Sequence, residues 1–548
     1  MVGGAGWLND PVTATPATHG PHRRPPPSTR AVALSELRGV LGLPPGAGPA
    51  DPSGADPAVR GVTLDSRHVL PGDLYAALPG ARHHGAQFAG QARASGAAAA
   101  LSDRPLPGLP TLVVPDPRAV LGPLAAHLHD HPSHHLEVYG VTGTNGKTST
   151  THLLDAGLRS AGHRTGMISG IRVRTPEWSR PAQRTTPEAP ELQETLAALR
   201  EQGATSAAVE VSSHGLALHR VDGTRFRAAV FTNLGRDHLD LHGDQESYFA
   251  AKASLFAPHR CALAVVNVDD AHGRRLAAQV RVPVTTFSAA GRREADWRAT
   301  EVRADADRTS FRLLGPGTDR RVRLHLLGTH QVDNALGAVA ALHAGGLNVE
   351  DVLRGMEDLT AVSGRLQRID EGQPFLALVD YAHNVAAQRR LLPFLRTLTG
   401  GRLVVVLGAT GERDPGKRGP LGRTAAQLGD VVIVTDESPH DDDPAALREA
   451  VAGGARGAAS AQVHVEADRD RAIRLAVSLA DPGDVVVVSG RGHDGQLVAG
   501  GRTRAFDDGA RLRAALAQLA RGGRAPTVLL PEDQVRKSMV ARPPCSSR

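Results

Sequence analysis

The chain has 548 residues, of which 41% are hydrophobic and only 3% aromatic, with 60 glycines besides; this is the composition of a globular protein and excludes wholesale disorder. No apolar run reaches the ~18 residues of a membrane span, the first 30 residues lack the apolar core of a signal peptide, and two cysteines, Cys261 and Cys545, cannot form a disulfide framework in a chain this long, so a reducing cytoplasm is expected. The net charge of +6 sits mostly at the ends: residues 1–30 carry +2 and residues 524–548 carry +3, which leaves +1 for residues 31–523 and excludes the basic folded face of a nucleic-acid binder.

At roughly 100–200 residues per domain the length predicts about three domains. Residues 1–30 and 524–548, rich in Pro, Arg and Ser, read as disordered tails. Residues 31–135 read as a small mixed domain, closed by a linker at His131-Pro-Ser-His-His135. From 136 to 360, strands at Glu137–Val141, Ala207–Val211, Ala228–Thr232 and Ala264–Val268 alternate with Ala/Leu-rich helical stretches, the pattern of a parallel sheet. A second series over 361–523 has strands at Phe375–Val379, Leu403–Leu407, Val431–Val434 and Val485–Val488. The expected fold class is α/β, with two α/β domains behind a smaller one.

Of the 63 basic residues only four are lysines, Lys147, Lys252, Lys417 and Lys537. A compositional bias toward arginine leaves lysine where a compact amine is needed, as a phosphate ligand or a nucleophile. Lys147 lies in the run Gly143-Thr144-Asn145-Gly146-Lys147-Thr148, which joins a strand to a helix beginning near Thr148. Glycines let backbone N–H groups close around phosphates, and the helix N-terminus adds a favourable dipole. Lys147 would then reach the terminal phosphates and Thr148 would hold Mg²⁺. The strict pattern is broken by Val141, which stands where its first glycine belongs.

Two later strands end in polar clusters. Glu210 lies within Ala207-Ala-Val-Glu-Val-Ser-Ser-His-Gly215, and a carboxylate in an apolar strand needs a cation or a salt bridge. His238 and His242, in Phe231-Thr-Asn-Leu-Gly-Arg-Asp-His-Leu-Asp-Leu-His-Gly243, have i,i+4 spacing but no evident third zinc ligand. Hard-cation chemistry fits better, with oxygen ligands and one imidazole around Mg²⁺.

Taken together, Gly143–Thr148, Glu210-Val-Ser-Ser-His214, Phe231–Gly243 and Ala251-Lys-Ala253 resemble the central domain of the Mur ligases, and most of all the branch that makes the muramyl tripeptide. Leu64-Asp-Ser-Arg-His-Val-Leu-Pro-Gly-Asp-Leu74 resembles that branch's uridine-binding domain, and Thr185-Thr-Pro-Glu188 its substrate-contacting threonine pair. Ser363-Gly-Arg365, Val379-Asp-Tyr-Ala-His383, Gly411-Glu-Arg-Asp-Pro-Gly-Lys-Arg418 and Gly490-Arg-Gly-His493 follow in the family's order.

The resemblance implies a small UDP-binding α/β domain, a central P-loop parallel-sheet ATPase domain and a C-terminal Rossmann-like domain. The activity it implies is ATP-dependent: an acyl phosphate forms on a UDP-N-acetylmuramyl dipeptide, and an amino acid, diaminopimelate first among the candidates, displaces phosphate. By resemblance, Gly143, Thr144, Asn145, Gly146, Lys147, Thr148, Asn334, Arg365 and Asp380 bind ATP. Leu64, Ser66, Thr185, Thr186, Ser212 and Arg220 contact the UDP-sugar peptide, and Arg413, His440, Gly490 and Asp494 the acceptor amino acid. Thr148, Glu210, His238 and a carbamylated Lys252 hold Mg²⁺, and Lys147, Glu210, His238 and Lys252 form the catalytic set. The implied partners are small-molecule substrates only, met by a monomer.

The chain departs from the branch at several positions. Leu218 stands for a common Gln, Arg184 for an Asn, His330-Gln331 for Phe-Asn, and Asn384 for a Thr. Glu437-Ser-Pro-His440 replaces the Asp-Asn-Pro-Arg of diaminopimelate-adding enzymes, and Asp494 replaces the Glu of Gly-Lys-Gly-His-Glu. Three alternatives therefore stand beside the main reading: another acceptor such as lysine, a ligase of the folylpolyglutamate or cyanophycin type, and a non-catalytic nucleotide-binding regulator.

Overall fold

The computed structural model describes residues 30–43, 56–80, 83–458 and 460–522; most of the two tails, and Cys545, lie outside them. The chain divides into two compact units, one up to Val120 and one from Leu121 onward. Among the described residues no helix is long and apolar enough to cross a membrane.

The first unit is built on four parallel strands in sequential order, β1 (Gly61–Thr63), β2 (Asp73–Ala77), β3 (Ala99–Ser102) and β4 (Thr111–Val113). All five residues of β2 are buried, as a central strand covered on both faces requires.

The second unit holds two large sheets. The first begins with β5 (Glu137–Thr142), helix α1 (Lys147–Ser160), β6 (Thr165–Ile168), β7 (Arg172–Arg174) and β8 (Ser179–Pro181). It continues through β9 (Ser206–Glu210), β10 (Ala228–Phe231), helix α2 (Gln245–Ala253), β11 (Ala264–Asn267) and β12 (Val284–Ser288). Its last strands are β13 (Trp297–Ala304), β14 (Thr309–Gly315) and β15 (Thr318–Leu324), and helix α3 (His330–Ala344) follows. The strand order is β8-β7-β6-β9-β5-β10-β11-β12-β13-β14-β15. Alternate residues of β5 and β10 feed opposite cores: Tyr139, Val141 and Val230 pack with Leu153, Leu336 and Phe287, whereas Val138 and Phe231 pack with Leu196 and Phe256. That is the period of two of a strand covered on both faces.

The expected parallel order holds from β6 to β13 only. Both edges turn antiparallel, β8–β7–β6 on one side and β13–β14–β15 on the other. Strands β13, β14 and β15 alternate buried apolar with exposed charged residues, as in Phe311-Arg312-Leu313, because one face meets water. The His131–His135 segment is also more than a linker: Ser133 is buried and its Oγ accepts the Arg225 N–H at 3.1 Å.

The second sheet contains β16 (Gln367–Arg368), β17 (Leu376–Asp380), helix α4 (Val385–Thr397), β18 (Leu403–Leu407), β19 (Val431–Val434), β20 (Gln462–Val465) and β21 (Val485–Ser489), in the order β16-β17-β21-β18-β19-β20. All its pairings are parallel except β16–β17. In such sheets ligands bind beyond the carboxyl ends of the strands. The ends of β5, β9 and β10 in one sheet and of β17 and β21 in the other carry the residues described next.

Candidate active site

β5 gives way to the glycine-containing loop and then directly to α1. Gly143 (φ +148°) could carry no side chain, since a Cβ there would come within 1.9 Å of Thr232 Oγ1. Gly146 (φ +89°) caps α1, and a Cβ there would lie 2.3 Å from Asn334 Oδ1. The loop is held from β10's end, where the Thr144 and Asn145 N–H groups donate to the Asn233 carbonyl (2.9 Å) and Oδ1 (3.0 Å).

Lys147 turns back onto its own loop and donates to the Gly143 and Thr144 carbonyls at 3.0 and 2.9 Å. Lys252, on α2 and only 1% exposed, donates to the same Gly143 oxygen at 2.8 Å and lies over the Tyr248 ring at 4.5 Å. Burial lowers the pKa of both amines, that of Lys252 well below the usual lysine range, and the charge of Lys147 lowers Lys252 further. Two of the four lysines thus meet on one carbonyl oxygen.

Glu210, at the end of β9, is 3% exposed. The Thr148 hydroxyl bonds to its two oxygens at 3.1 and 3.0 Å, and the Gly170 N–H donates to Oε2 at 2.8 Å. Arg365 Nη2 also donates to Thr148 Oγ1, at 3.0 Å, while its guanidinium lies over the Tyr381 ring at 4.2 Å. The buried carboxylate and the hydroxyl are hard-oxygen donors of the kind that suit a hard cation, and the Arg365 guanidinium faces them.

His238 lies in the left-handed region (φ +54°), and burial pushes its pKa down to about 3. The His214 ring packs edge-on against both His238 and His242, at 4.7 and 6.0 Å between centroids. Among the described residues no three or more His, Cys, Asp or Glu side chains are grouped to hold a metal. Asp237 instead faces the second sheet, 3.6 Å from His383 Nε2 and 3.3 Å from Asn384 Nδ2.

Thr186 and Ser212 are joined: Thr186 Oγ1 donates to the Glu210 carbonyl at 2.9 Å and accepts the Ser212 N–H at 2.9 Å. Arg220 pairs with Glu188 at 2.9 Å and reaches the Thr186 carbonyl at 3.3 Å. Asp380 accepts the Leu366 and Ala382 N–H groups at 2.7 and 2.8 Å, and burial raises its pKa. His493 Nε2 donates to the Gly170 carbonyl at 3.0 Å.

A cleft of about 520 Å³ gathers Lys147, Thr148, Thr185, Glu210, Ser212, Arg220, His238, Asn334, Arg365, Asp380, Arg413 and Asp494, within the usual range for small-molecule sites. His440 and Gly490 do not line it. His440 (φ +53°) is tied by its backbone, donating to the Val498 carbonyl at 3.1 Å and accepting the Gly500 N–H at 2.7 Å. Gly490 (φ +107°) lies against the buried Glu437 carboxylate, whose Oε1 bonds to Thr410. Leu64 and Ser66 belong to the first unit, where Ser66 Oγ donates to Gln91 Oε1 at 2.8 Å. Sequence reasoning missed the Gly170 loop, which lies in no motif, and Gln331, marked only by the His330-Gln331 spelling; Asp237 and His383 each lie in a sequence motif, but nothing in the spacing announced their contact.

Three family descriptions match in order along the chain: "Mur ligase family, catalytic domain" over residues 58–128, "Mur ligase middle domain" over 141–342 and "Mur ligase, glutamate ligase domain" over 364–492. The chain is 46% identical over 508 residues to the UDP-N-acetylmuramoyl-L-alanyl-D-glutamate--2,6-diaminopimelate ligase of Streptomyces coelicolor, covering 91% of this chain and 98% of that one. It is 46% identical to the enzyme of the same name from Corynebacterium glutamicum, over 84% of this chain and 92% of that one. A solved structure of a ligase of that name superposes with a TM-score of 0.61 at 29% identity, covering 90% of this chain and 100% of that one. This chain belongs to the Mur ligase family.

Proposed function

We propose that this protein is an ATP-dependent ligase that adds 2,6-diaminopimelate to the D-glutamyl carboxylate of UDP-N-acetylmuramoyl-L-alanyl-D-glutamate, a step of peptidoglycan precursor synthesis in the cytoplasm. The observation that carries the reading is near-complete coverage, at 46% identity, of a relative so named, together with a cleft in which the phosphate loop, Glu210 and Arg365 converge. The extent of that match weighs against a folylpolyglutamate or cyanophycin ligase. The buried Lys147–Glu210–Lys252 constellation weighs against a non-catalytic regulator.

A carboxylate is a poor acyl donor, so its oxygen first attacks the γ-phosphorus of ATP and ADP leaves. The acceptor's amine then attacks the acyl carbon, and phosphate departs as the nitrogen loses its proton. Phosphoryl transfer of this kind needs positioning and neutralisation of charge. Lys147, released from its loop carbonyls, and Arg365 supply cations; the Gly143–Thr148 loop and the start of α1 supply N–H groups and the helix dipole. Thr148 and Glu210 would hold Mg²⁺, and their close oxygens fit a hard cation; His238 and a carbamylated Lys252 would hold a second. When bound, the metal neutralises phosphate charge. Thr185, Thr186, Ser212 and Arg220 take the peptide end of the UDP substrate, Leu64 and Ser66 its uridine end, and Arg413 and Asp494 the acceptor.

The test is phosphate release with ATP, the UDP-dipeptide and a panel of amino acids. Release should require the dipeptide and be fastest with diaminopimelate; ATP hydrolysis indifferent to the dipeptide would refute the reading.

A further inference from the structure

The first turn of α3 holds a polar chain that ends at the phosphate loop. Asn334 Nδ2 donates to Gln331 Oε1 at 2.8 Å, and Thr150 Oγ1, on α1, donates to Asn334 Oδ1 at 3.3 Å. Gln331 Nε2 faces His330 Nε2 at 3.3 Å. An amide nitrogen only donates, so the His330 nitrogen accepts, as a neutral ring can; burial pushes the His330 pKa down to about 3. Gln331 is 0% exposed and Asn334 3%. Reversing the Asn334 amide alone would set two carbonyl oxygens against each other at 2.8 Å, so the Asn334 and Gln331 amides are locked together. Asn334 Oδ1 in turn occupies the space that a Cβ on Gly146 would need, and this side chain thereby forms the floor under the Gly146–Lys147 corner. His330 and Asn334 line the cleft, whereas Gln331 does not.

We propose that Gln331 is a positioning residue for nucleotide binding: it fixes the Asn334 amide beneath the phosphate loop and touches no substrate itself. The proposal rests on the reading that this cleft binds ATP. His330-Gln331 is also where the chain departs from the Phe-Asn of the branch it resembles, and a phenylalanine could not accept the Gln331 hydrogen bond.

The experiment is ADP binding by calorimetry with the full chain, alongside KM for ATP and for the UDP-dipeptide. Gln331→Leu keeps the volume but leaves the Asn334 N–H buried without an acceptor, a loss that should weaken ADP binding and raise KM for ATP about tenfold. KM for the UDP-dipeptide should not move. Gln331→Asn, the residue of the resembled branch, keeps an amide that can accept from Asn334 and donate to His330, and should stay within about threefold of the parent. If the leucine variant does not fold, Gln331→Met carries the same expectation. Unchanged ADP affinity in the leucine variant, equal losses in the leucine and asparagine variants, or a parallel loss of affinity for both substrates would each overturn the proposal. Failure of the parent protein to bind ADP would instead remove the ATP reading beneath it.

Discussion

Arg365 Nη2 donates to Thr148 Oγ1 across 3.0 Å, although 217 residues separate the two in the chain. The same hydroxyl is bonded to Glu210, and the face of Tyr381 supports the guanidinium. A residue that follows the first sheet's last helix thus delivers a positive charge to the Gly143–Thr148 loop. Preorganised charge at a phosphoryl group is worth about 10²–10³ in kcat when one donor is removed. Arg365→Ala should therefore lower kcat by about that much. Arg365→Lys should recover little of it, because an ammonium cannot both stack on Tyr381 and keep a planar fork. Steady-state phosphate release checks this; a lysine variant with parent activity would show that charge alone suffices.

Lys252 is buried, and its surroundings strongly favour the uncharged amine. A free amine is the form that adds to CO₂, forming an N–C bond and releasing one proton to give an anionic carbamate. Lys252→Ala should nearly abolish turnover and regain part of it with added short carboxylates. Lys252→Arg should be inactive, since a guanidinium cannot carry the carbamate. Full activity in the arginine variant would end the carbamate hypothesis.

Acid should destabilise the fold through its neutral buried imidazoles. Burial holds His152 at about 4 and His330 and His493 at about 3, against 6.5 for the free side chain. Each binds a proton near pH 6.5 only when unfolded. Stability is therefore intact above that pH and is lost as pH falls from 6.5 toward the folded values, more steeply the more such rings contribute. Urea midpoints at about pH 7, 6 and 5 should decline at each step. A midpoint unchanged from 7 to 5 would contradict the burial of these rings.

The acceptor loop offers a specificity test. His440 stands where diaminopimelate-adding enzymes of the resembled branch carry arginine, and neutral imidazole offers one donor and no bidentate fork. In the acidic run beside it, Asp442 pairs with Arg418 at 2.8 Å and Asp443 accepts the Ala445 N–H at 2.9 Å. His440→Arg should raise the ratio of kcat/KM for diaminopimelate over lysine by about tenfold to a hundredfold, the value of one charged hydrogen-bond pair of ~1.5–3 kcal/mol. An unchanged ratio would show that position 440 does not face the acceptor's distal group.

Much of this molecule is legible in its sequence because the relevant physics is local. The Gly143–Thr148 run specifies a strand, a tight turn and a helix start within a few residues, since only glycine tolerates the backbone of 143 and 146. The apolar runs of β5, β10, β18 and β21 announce buried parallel strands because both of their faces are covered. The antiparallel edges escaped that reading, since β13, β14 and β15 bury only one face and spell it among arginines. The rarity of lysine pointed to Lys147 and Lys252, but their meeting on the Gly143 carbonyl depends on α2, 109 residues downstream of the loop. Tertiary structure alone chose the partners of the buried charges: Thr148 for Glu210, Arg365 for the same hydroxyl, and His383 for Asp237. A residue type records that a group needs a counter-charge or a hydrogen bond. Which group meets that need is decided by the order of strands in the sheets, which brings distant loops to the same carboxyl ends.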